Sequence, residues 1–251
     1  MAKVEVDVNG SIRTVRLNRS EKRNALDTEM LDGLTAAFSE APAPSERVAV
    51  IRSSGPVFCA GLDLRSRREI KEGSSSIEGM LHAIEIYPLP VMAIVQGDAI
   101  AGGNELALHC DIVVASSAAR FGMSLAQIGL APTWFLTKKL MEVAGPVTTR
   151  KMLLLGDPIP ATRMYELGVL AEIALPEELE AKAASIIGRL VANAPLSLRA
   201  MKAAIMREMQ FRDDIPHDDI DALIMQASTS ADAIEGMAAR IEKRQPNFQG
   251  R

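Results

Sequence analysis

Residues 91–116 read VMAIVQGDAIAGGNELALHCDIVVAS. Two apolar runs, VMAIV at 91–95 and DIVVAS at 111–116, bracket a glycine-rich turn and a short helical piece, NELALHC. This strand–helix–strand rhythm is that of an α/β architecture. The pair Gly102-Gly103 stands just before the helix, where unpaired N–H groups and the positive helix end face an anion or a developing oxyanion. Glycines at such a place also serve simply to permit a tight turn or close helix packing. A second loop of the same form, an apolar strand running into a glycine turn, is VFCAGLDL at 57–64. Glu105 falls in the first helical turn, as a dipole partner or as a general acid/base beside the amides. His109 follows on the same face, but a catalytic metal site needs a third protein ligand and none matches, so no metal is expected.

Upstream, VEVDV at 4–8 alternates, Asn9-Gly10 follows, and SIRTVRLN resumes an extended pattern, which predicts a hairpin with a two-residue turn. Asp27 or Thr28 caps a helix bearing Met30, Leu31, Leu34, Ala37 and Phe38, and Val48–Ile51 is a buried strand. A polar stretch, SRREIKEGSSS at 66–76, reads as mobile, and an amphipathic helix with Met80, Leu81, Ile84 and Ile86 follows. Strands are expected to end near residue 116 or shortly beyond. From about 133 the pattern is helical, in segments around 136–143, 146–155, 162–167, 177–192, 196–212 and 217–243, with Ala-Pro at 194–195 and Ile-Pro at 215–216 as breaks. Surplus apolar faces on the last helices are candidates for subunit contacts.

Composition bounds the function. The chain has 251 residues, 48% hydrophobic and 24% charged, and 28 Lys+Arg against 32 Asp+Glu give a net charge of -4. That leaves no basic excess for a phosphate backbone, and aromatics at 4% offer few stacking platforms, so no nucleic acid partner is expected. Two cysteines, Cys59 and Cys110, suit a reducing cytoplasm rather than a disulfide framework. The apolar runs are far below the ~20 residues that span a bilayer, so no membrane partner is expected and a soluble cytoplasmic protein is. Neither GxxxxGK[ST] nor a GxGxxG opening a helix after the first strand occurs, so nucleotide-dependent chemistry loses support. No GxSxG and no Ser/His/Asp order appear, Cys59 reads as a small buried thiol, and His82 and His217 read as core or surface residues.

Four stretches, LNRSEKRNALD (17–27), PVFCAGLDL (56–64), AIVQGDAIAGGNELALHCDIVVAS (93–116) and ADAIEGMAARIEKRQPNF (231–248), resemble in order and spacing the motifs of the crotonase, or enoyl-CoA hydratase/isomerase, superfamily. The resemblance covers essentially the whole chain. It implies an α/β crotonase-like core of repeated ββα units, here residues 1–192, with a C-terminal helical trimerisation region, 193–251, assembled as a homotrimer or dimer of trimers. It also implies an acyl-CoA thioester substrate and no separate cofactor, coenzyme A being part of the substrate. By residue matching, the backbone N–H groups of Ala60 and Gly102 hold the thioester oxygen as an enolate forms, with Glu105 as the catalytic carboxylate. Arg23, Ala25, Ala60, Gly61, Leu62, Asp63, Leu64 and Gly102 line the coenzyme A site, and Lys243 approaches the nucleotide, from this or a neighbouring subunit. Arg240 occupies a place where many relatives have Phe.

The second hydratase carboxylate belongs in the stretch that here reads FGMSLAQIGLAPTWF, and Leu125 stands in its place. The APTWF segment looks more like that of Δ3,Δ2-enoyl-CoA isomerases, which use a Glu at the position of Leu125 and an apolar residue at that of Glu105. Three readings follow: an enoyl-CoA hydratase-like lyase, a single-base isomerase, and an acyl-CoA-binding protein with impaired catalysis.

Overall fold

The computed structural model describes residues 2–65, 75–210 and 214–251. The alternating segments at the start pair antiparallel as β1 (Val4–Asn9) and β2 (Ile12–Leu17). Asn9 lies opposite Ile12, so the turn residues are Gly10 and Ser11, one place later than expected, and Gly10 takes the left-handed φ of +61°. The further strands are β3 (Val48–Ser53), β4 (Val91–Val95), β5 (Ala99–Ile100), β6 (Ile112–Ser116), β7 (Arg120–Gly122), β8 (Ile159–Pro160) and β9 (Glu172–Ala174). Six form one sheet in the order β1-β2-β3-β4-β6-β9, parallel throughout except for β1, and β5-β7-β8 form a small second sheet.

The helices are α1 (Thr28–Ser39), α2 (Ile77–Ile86), α3 (Gly102–Leu108), α4 (Trp134–Arg150), α5 (Ala161–Glu166), α6 (Leu179–Ala192), α7 (Pro195–Met209), α8 (Asp218–Thr229) and α9 (Ala231–Glu242). Asp27 caps α1, its carboxylate accepting from the Met30 N–H at 3.1 Å, and Ser76 caps α2. Successive side chains of the central strands point to opposite faces. Val48, Val50, Met92, Ile94 and Val114 pack under α6 against Leu179, Ala183 and Leu190. Ala49, Ile51, Val91, Ala93 and Val95 join the larger core with Met30 and Leu34 of α1, Met80 and Ile84 of α2, and Leu106 of α3. Each large side chain buried this way contributes roughly 1.5–3 kcal/mol, which is why the sheet centre carries the fold.

Two further expectations are corrected. Strands do not end shortly beyond residue 116, because β8 pairs with β7, and β9 extends the parallel sheet by pairing with β6; both are too short to leave a periodic signature. The helix read over 217–243 is two, broken at Ser230, whose extended backbone (φ -68°, ψ 160°) ends α8 while its hydroxyl caps α9. The separate helical segments read at 136–143 and 146–155 hold: Gly145 (φ +68°, ψ 170°) interrupts the helical backbone of α4 ahead of Pro146, and a π turn at Lys151–Leu155 follows. Most of the polar stretch at 66–76 and the end of the 196–212 helix lie outside the described residues.

On β2, Arg13 is buried with Glu46, Nε to Oε2 at 2.7 Å and Nη2 to Oε1 at 3.2 Å. Glu46 also accepts from the Ala43 N–H at 2.8 Å, and the Arg13 bond holds its carboxyl below the ordinary carboxylate range. Among the described residues α7 and α8 bury no side chain, and no helix is long and apolar enough to cross a membrane.

Candidate active site

The two glycine loops meet. Cys59 bridges to Ala99, the Ile100 N–H donates to Cys59 O at 2.9 Å, and the Phe58 and Cys59 N–H groups both donate to Asp98 O. A β-carbon on Gly103 would stand 2.2 Å from Cys59 O, so only glycine lets α3 sit against the first loop. The segment at 23–26 closes the arrangement: Leu26 pairs with Leu62, and Leu26 N–H donates to Gly61 O at 2.8 Å. Arg23 and Asn24 both take left-handed backbone, and the fully buried Asn24 pins that turn, its amide donating to Ser54 O and Val57 O at 2.8 Å each. Asn24 falls within the LNRSEKRNALD motif, and its burial with a saturated amide makes it the residue that fixes the first loop.

A cleft of about 460 Å³ opens where these segments converge. Of the residues predicted to form the site, Arg23, Ala60, Leu62, Leu64 and Gly102 line it. Ala25, Gly61, Asp63, Glu105 and Lys243 do not. Asp63 is turned to Arg19, which donates at 2.8 Å; burial works to raise the carboxyl, and the Arg19 bond, the Arg65 N–H and the Arg19 and Lys22 charges together outweigh it to leave Asp63 below its ordinary value. Lys243 lies beyond the end of α9 in left-handed backbone. Leu125, read as standing in the place of the second acid, lines the cleft, as do Asp98 and Arg240, while the sequence reading missed Ile77 of α2, Leu136 of α4, Ser124 and Arg120.

At the head of α3, Ala101 takes φ +50° and ψ -118°, a strained state for a residue with a side chain, worth about 1–3 kcal/mol. The next N–H, that of Gly102, donates to no backbone carbonyl among the described residues, and Gly102 lines the cleft. The Ala60 N–H donates to Arg23 O at 3.1 Å. Glu105 lies three positions after Gly102 on α3 and is fully buried, with Oε2 unpartnered and Oε1 only 3.5 Å from the Asn104 amide nitrogen. Burial pushes its carboxyl up to about 8. His109 closes the helix, its Nδ1–H donating to Glu105 O at 2.8 Å, with Oε2 at 3.6 Å. Burial pushes the His109 imidazole down to about 4, and it stacks on Phe135 at 5.1 Å. Near neutrality the two side chains are therefore neutral neighbours, not an ion pair. Among the described residues no three His, Cys, Asp or Glu side chains gather as metal ligands. The Cys59 thiol, donating to Asn24 O, is pushed up to about 12 by burial, which leaves it inert as a nucleophile.

A parallel sheet flanked by α6, with an amide-rich cleft at the start of a short glycine-led helix, defines a crotonase fold. A family model for enoyl-CoA hydratase/isomerase matches residues 7–251, and the chain belongs to that family. It is similar to a probable enoyl-CoA hydratase, echA6, of Mycobacterium leprae (30% identity, 95% of this chain, 96% of the relative). It is also similar to a crotonyl-CoA hydratase of Syntrophomonas wolfei subsp. wolfei (32%, 92% of each chain). The crystal structure of a methylmalonyl CoA decarboxylase superposes with a TM-score of 0.90 at 25% identity, over 99% of this chain and 98% of that one.

Proposed function

We propose that the protein acts on an acyl-CoA thioester by stabilising an enolate, and that its reaction is of the enoyl-CoA hydratase type. The carrying observation is that the unengaged Gly102 N–H, on a residue that lines the cleft, starts the same short helix that carries the Glu105 carboxyl, buried one turn behind it. In this reading the thioester oxygen accepts from Gly102 and from Ala60, whose N–H leaves the Arg23 carbonyl for it. A preorganised donor such as Gly102 is worth about 3–4 kcal/mol where charge develops, and Ala60 less, because its bond to Arg23 O is given up. Glu105 exchanges a proton with water or with the acyl chain, and its partnerless Oε2 is the atom assigned that task. Arg23, Ala25, the 60–64 loop and Lys243 hold coenzyme A, the last from this or a neighbouring copy. The hydratase names of the relatives support the choice of reaction.

One observation favours single-base isomerisation as a second reading. Leu125 lines the cleft where a second acid would stand, and the lining's one carboxylate, Asp98, is held by Arg120 at 3.1 and 2.5 Å. Incubation with crotonyl-CoA and with a 3-enoyl-CoA, following conjugated absorbance, separates the two. Loss of absorbance with the first selects hydration, gain with the second selects isomerisation, and turnover surviving in Glu105→Gln refutes Glu105 as the base in both.

A further inference from the structure

The cleft lining holds three arginines, Arg23, Arg120 and Arg240, against one carboxylate, Asp98, which Arg120 engages through both of its oxygens. Arg240 comes from α9 and reaches the cleft from outside the sheet. Its Nη2 donates to Ser124 Oγ at 3.2 Å, and no carboxylate pairs with it among the described residues. Arg244, one turn later, is by contrast saturated by Glu235 and Glu242. The same helix thus supplies acids for one arginine and leaves the other, over the cleft, with none.

The position of Arg240 is fixed by backbone packing. A β-carbon on Gly236 would stand 2.4 Å from the Ile128 carbonyl carbon, and one on Gly129 would stand 2.6 Å from Asp232 O, so α9 and the turn at 126–129 touch main chain to main chain. Arg240 lies one helical turn after Gly236 on the same face, which sets its guanidinium beside Ser124. The cleft it lines includes apolar Leu125, Ile128 and Leu130 with Gln127 between them, and Arg240 also borders a second cavity with Arg244 and Gln245. A guanidinium with spare N–H donors at such a place gains most from a carboxylate, which accepts a parallel pair of hydrogen bonds. Ser124 is largely buried, and its hydroxyl, accepting from Arg240, keeps a proton to donate.

We propose that Arg240 and Ser124 form an anion-recognising element of the cleft that selects acyl-CoA thioesters whose acyl group carries a carboxylate. The proposal rests on the acyl-CoA reading above and deepens it. An anionic group at this place has two sources, the acyl chain and the phosphates of coenzyme A, and the proposal assigns the first.

Calorimetric titration of the full-length protein with glutaryl-CoA, butyryl-CoA and free coenzyme A tests it, using the wild type, Arg240→Leu and Arg240→Lys. Arg240 is exposed, so the wild type binds glutaryl-CoA roughly fivefold tighter than butyryl-CoA, the upper end for an exposed bidentate pair. Arg240→Leu abolishes that preference and leaves coenzyme A and butyryl-CoA within about twofold of the wild type, whereas Arg240→Lys retains part of it. An equal loss for all three ligands in Arg240→Leu assigns the arginine to the coenzyme A phosphates and overturns the proposal. So does equal wild-type affinity for the two thioesters. Absence of any thioester binding overturns the acyl-CoA reading as well, and thereby separates the two failures.

Discussion

A β-carbon placed on Gly61 would stand 3.1 Å from the Gly102 nitrogen and 2.9 Å from Ile100 O, so the two glycine turns touch with no room for a side chain between them. The contact sets the separation of the two N–H donors assigned to the thioester oxygen, because Ala60 precedes one glycine and Gly102 is the other. The loops are therefore a single device, and distortion of either moves both donors.

The space around each glycine predicts opposite outcomes for two glycine-to-alanine changes. In Gly103→Ala the new carbon meets Cys59 O at 2.2 Å, a backbone atom that can yield only by opening the loops. The expected loss is about 2–4 kcal/mol in urea unfolding, with turnover falling further than the stability loss explains. Gly188, inside α6, has nothing within 4 Å of such a carbon, and Gly188→Ala is expected to stabilise by about 0.5–1 kcal/mol with activity unchanged. Equal midpoint shifts in the two variants contradict the packing account.

Glu105 gives a prediction with a defined pH sign. Its carboxyl titrates near 8 in the folded chain and near 4.5 in the unfolded one. Between those values the folded state holds a proton that the unfolded state has released, so this group's contribution to stability falls as pH rises and is constant above about 8. Glu105→Gln keeps the shape and removes the titration. The variant's stability advantage over wild type is then expected to grow by up to roughly 1.4 kcal/mol per pH unit across that interval. His109 works the other way, since its folded value near 4 makes stability fall as pH drops below its ordinary 6.5, but it is common to both proteins and cancels in the difference. Catalysis needs the ionised base, so wild-type turnover rises toward pH 8 while Glu105→Gln loses about 10²–10⁴-fold. A pH-independent stability difference refutes the buried neutral carboxyl.

The parts of this molecule legible from sequence were those with local signatures. The hairpin, the Asp27 cap, the strand at 48–51 and the glycine turns each depend on neighbours within a few residues. β9 was invisible because its three residues are strand only by virtue of the free edge of β6. The Ser230 break was hidden by apolar periodicity that continues across it from α8 into α9. The cleft showed the same division. Its amide loops were readable as motifs, while Ile77, Leu136 and Ser124 reach it through long-range packing that no local pattern encodes. Glu105 was found, but its complete burial was not, since seclusion is a property of the layers placed around α3.

The Arg13–Glu46 pair predicts a large cost for breaking one side. Both residues are buried, at 3% and 1% exposure, so Glu46→Ala leaves a guanidinium out of water with only Glu40 and the Ala37 carbonyl near it. The expected loss is about 3–5 kcal/mol in chemical unfolding. Because Arg13 holds the Glu46 carboxyl below its ordinary value, the pair's stability is present above about pH 4.5 and is lost as pH falls through the folded value. Acid unfolding of wild type and Glu46→Gln should converge at low pH, and parallel curves refute the assignment.

The C-terminal helices predict an assembly. On α7 and α8, Leu196, Met201, Ile205, Leu223 and Met225 are 60–76% exposed, an apolar surface that a chain of this size does not leave to water. We assign it to contacts between copies, as a trimer or a dimer of trimers. Sedimentation should therefore give about three or six times the chain mass of 27.0 kDa. Leu223→Asp places a charge within that surface and is expected to shift the protein to single chains at the same concentration, with far-UV circular dichroism unchanged, because α8 buries no side chain within its own chain. If the site borrows Lys243 from a neighbouring copy, the same variant also weakens binding of coenzyme A itself. A wild-type protein that sediments as a single chain removes the assembly, and with it any role for a neighbour's Lys243.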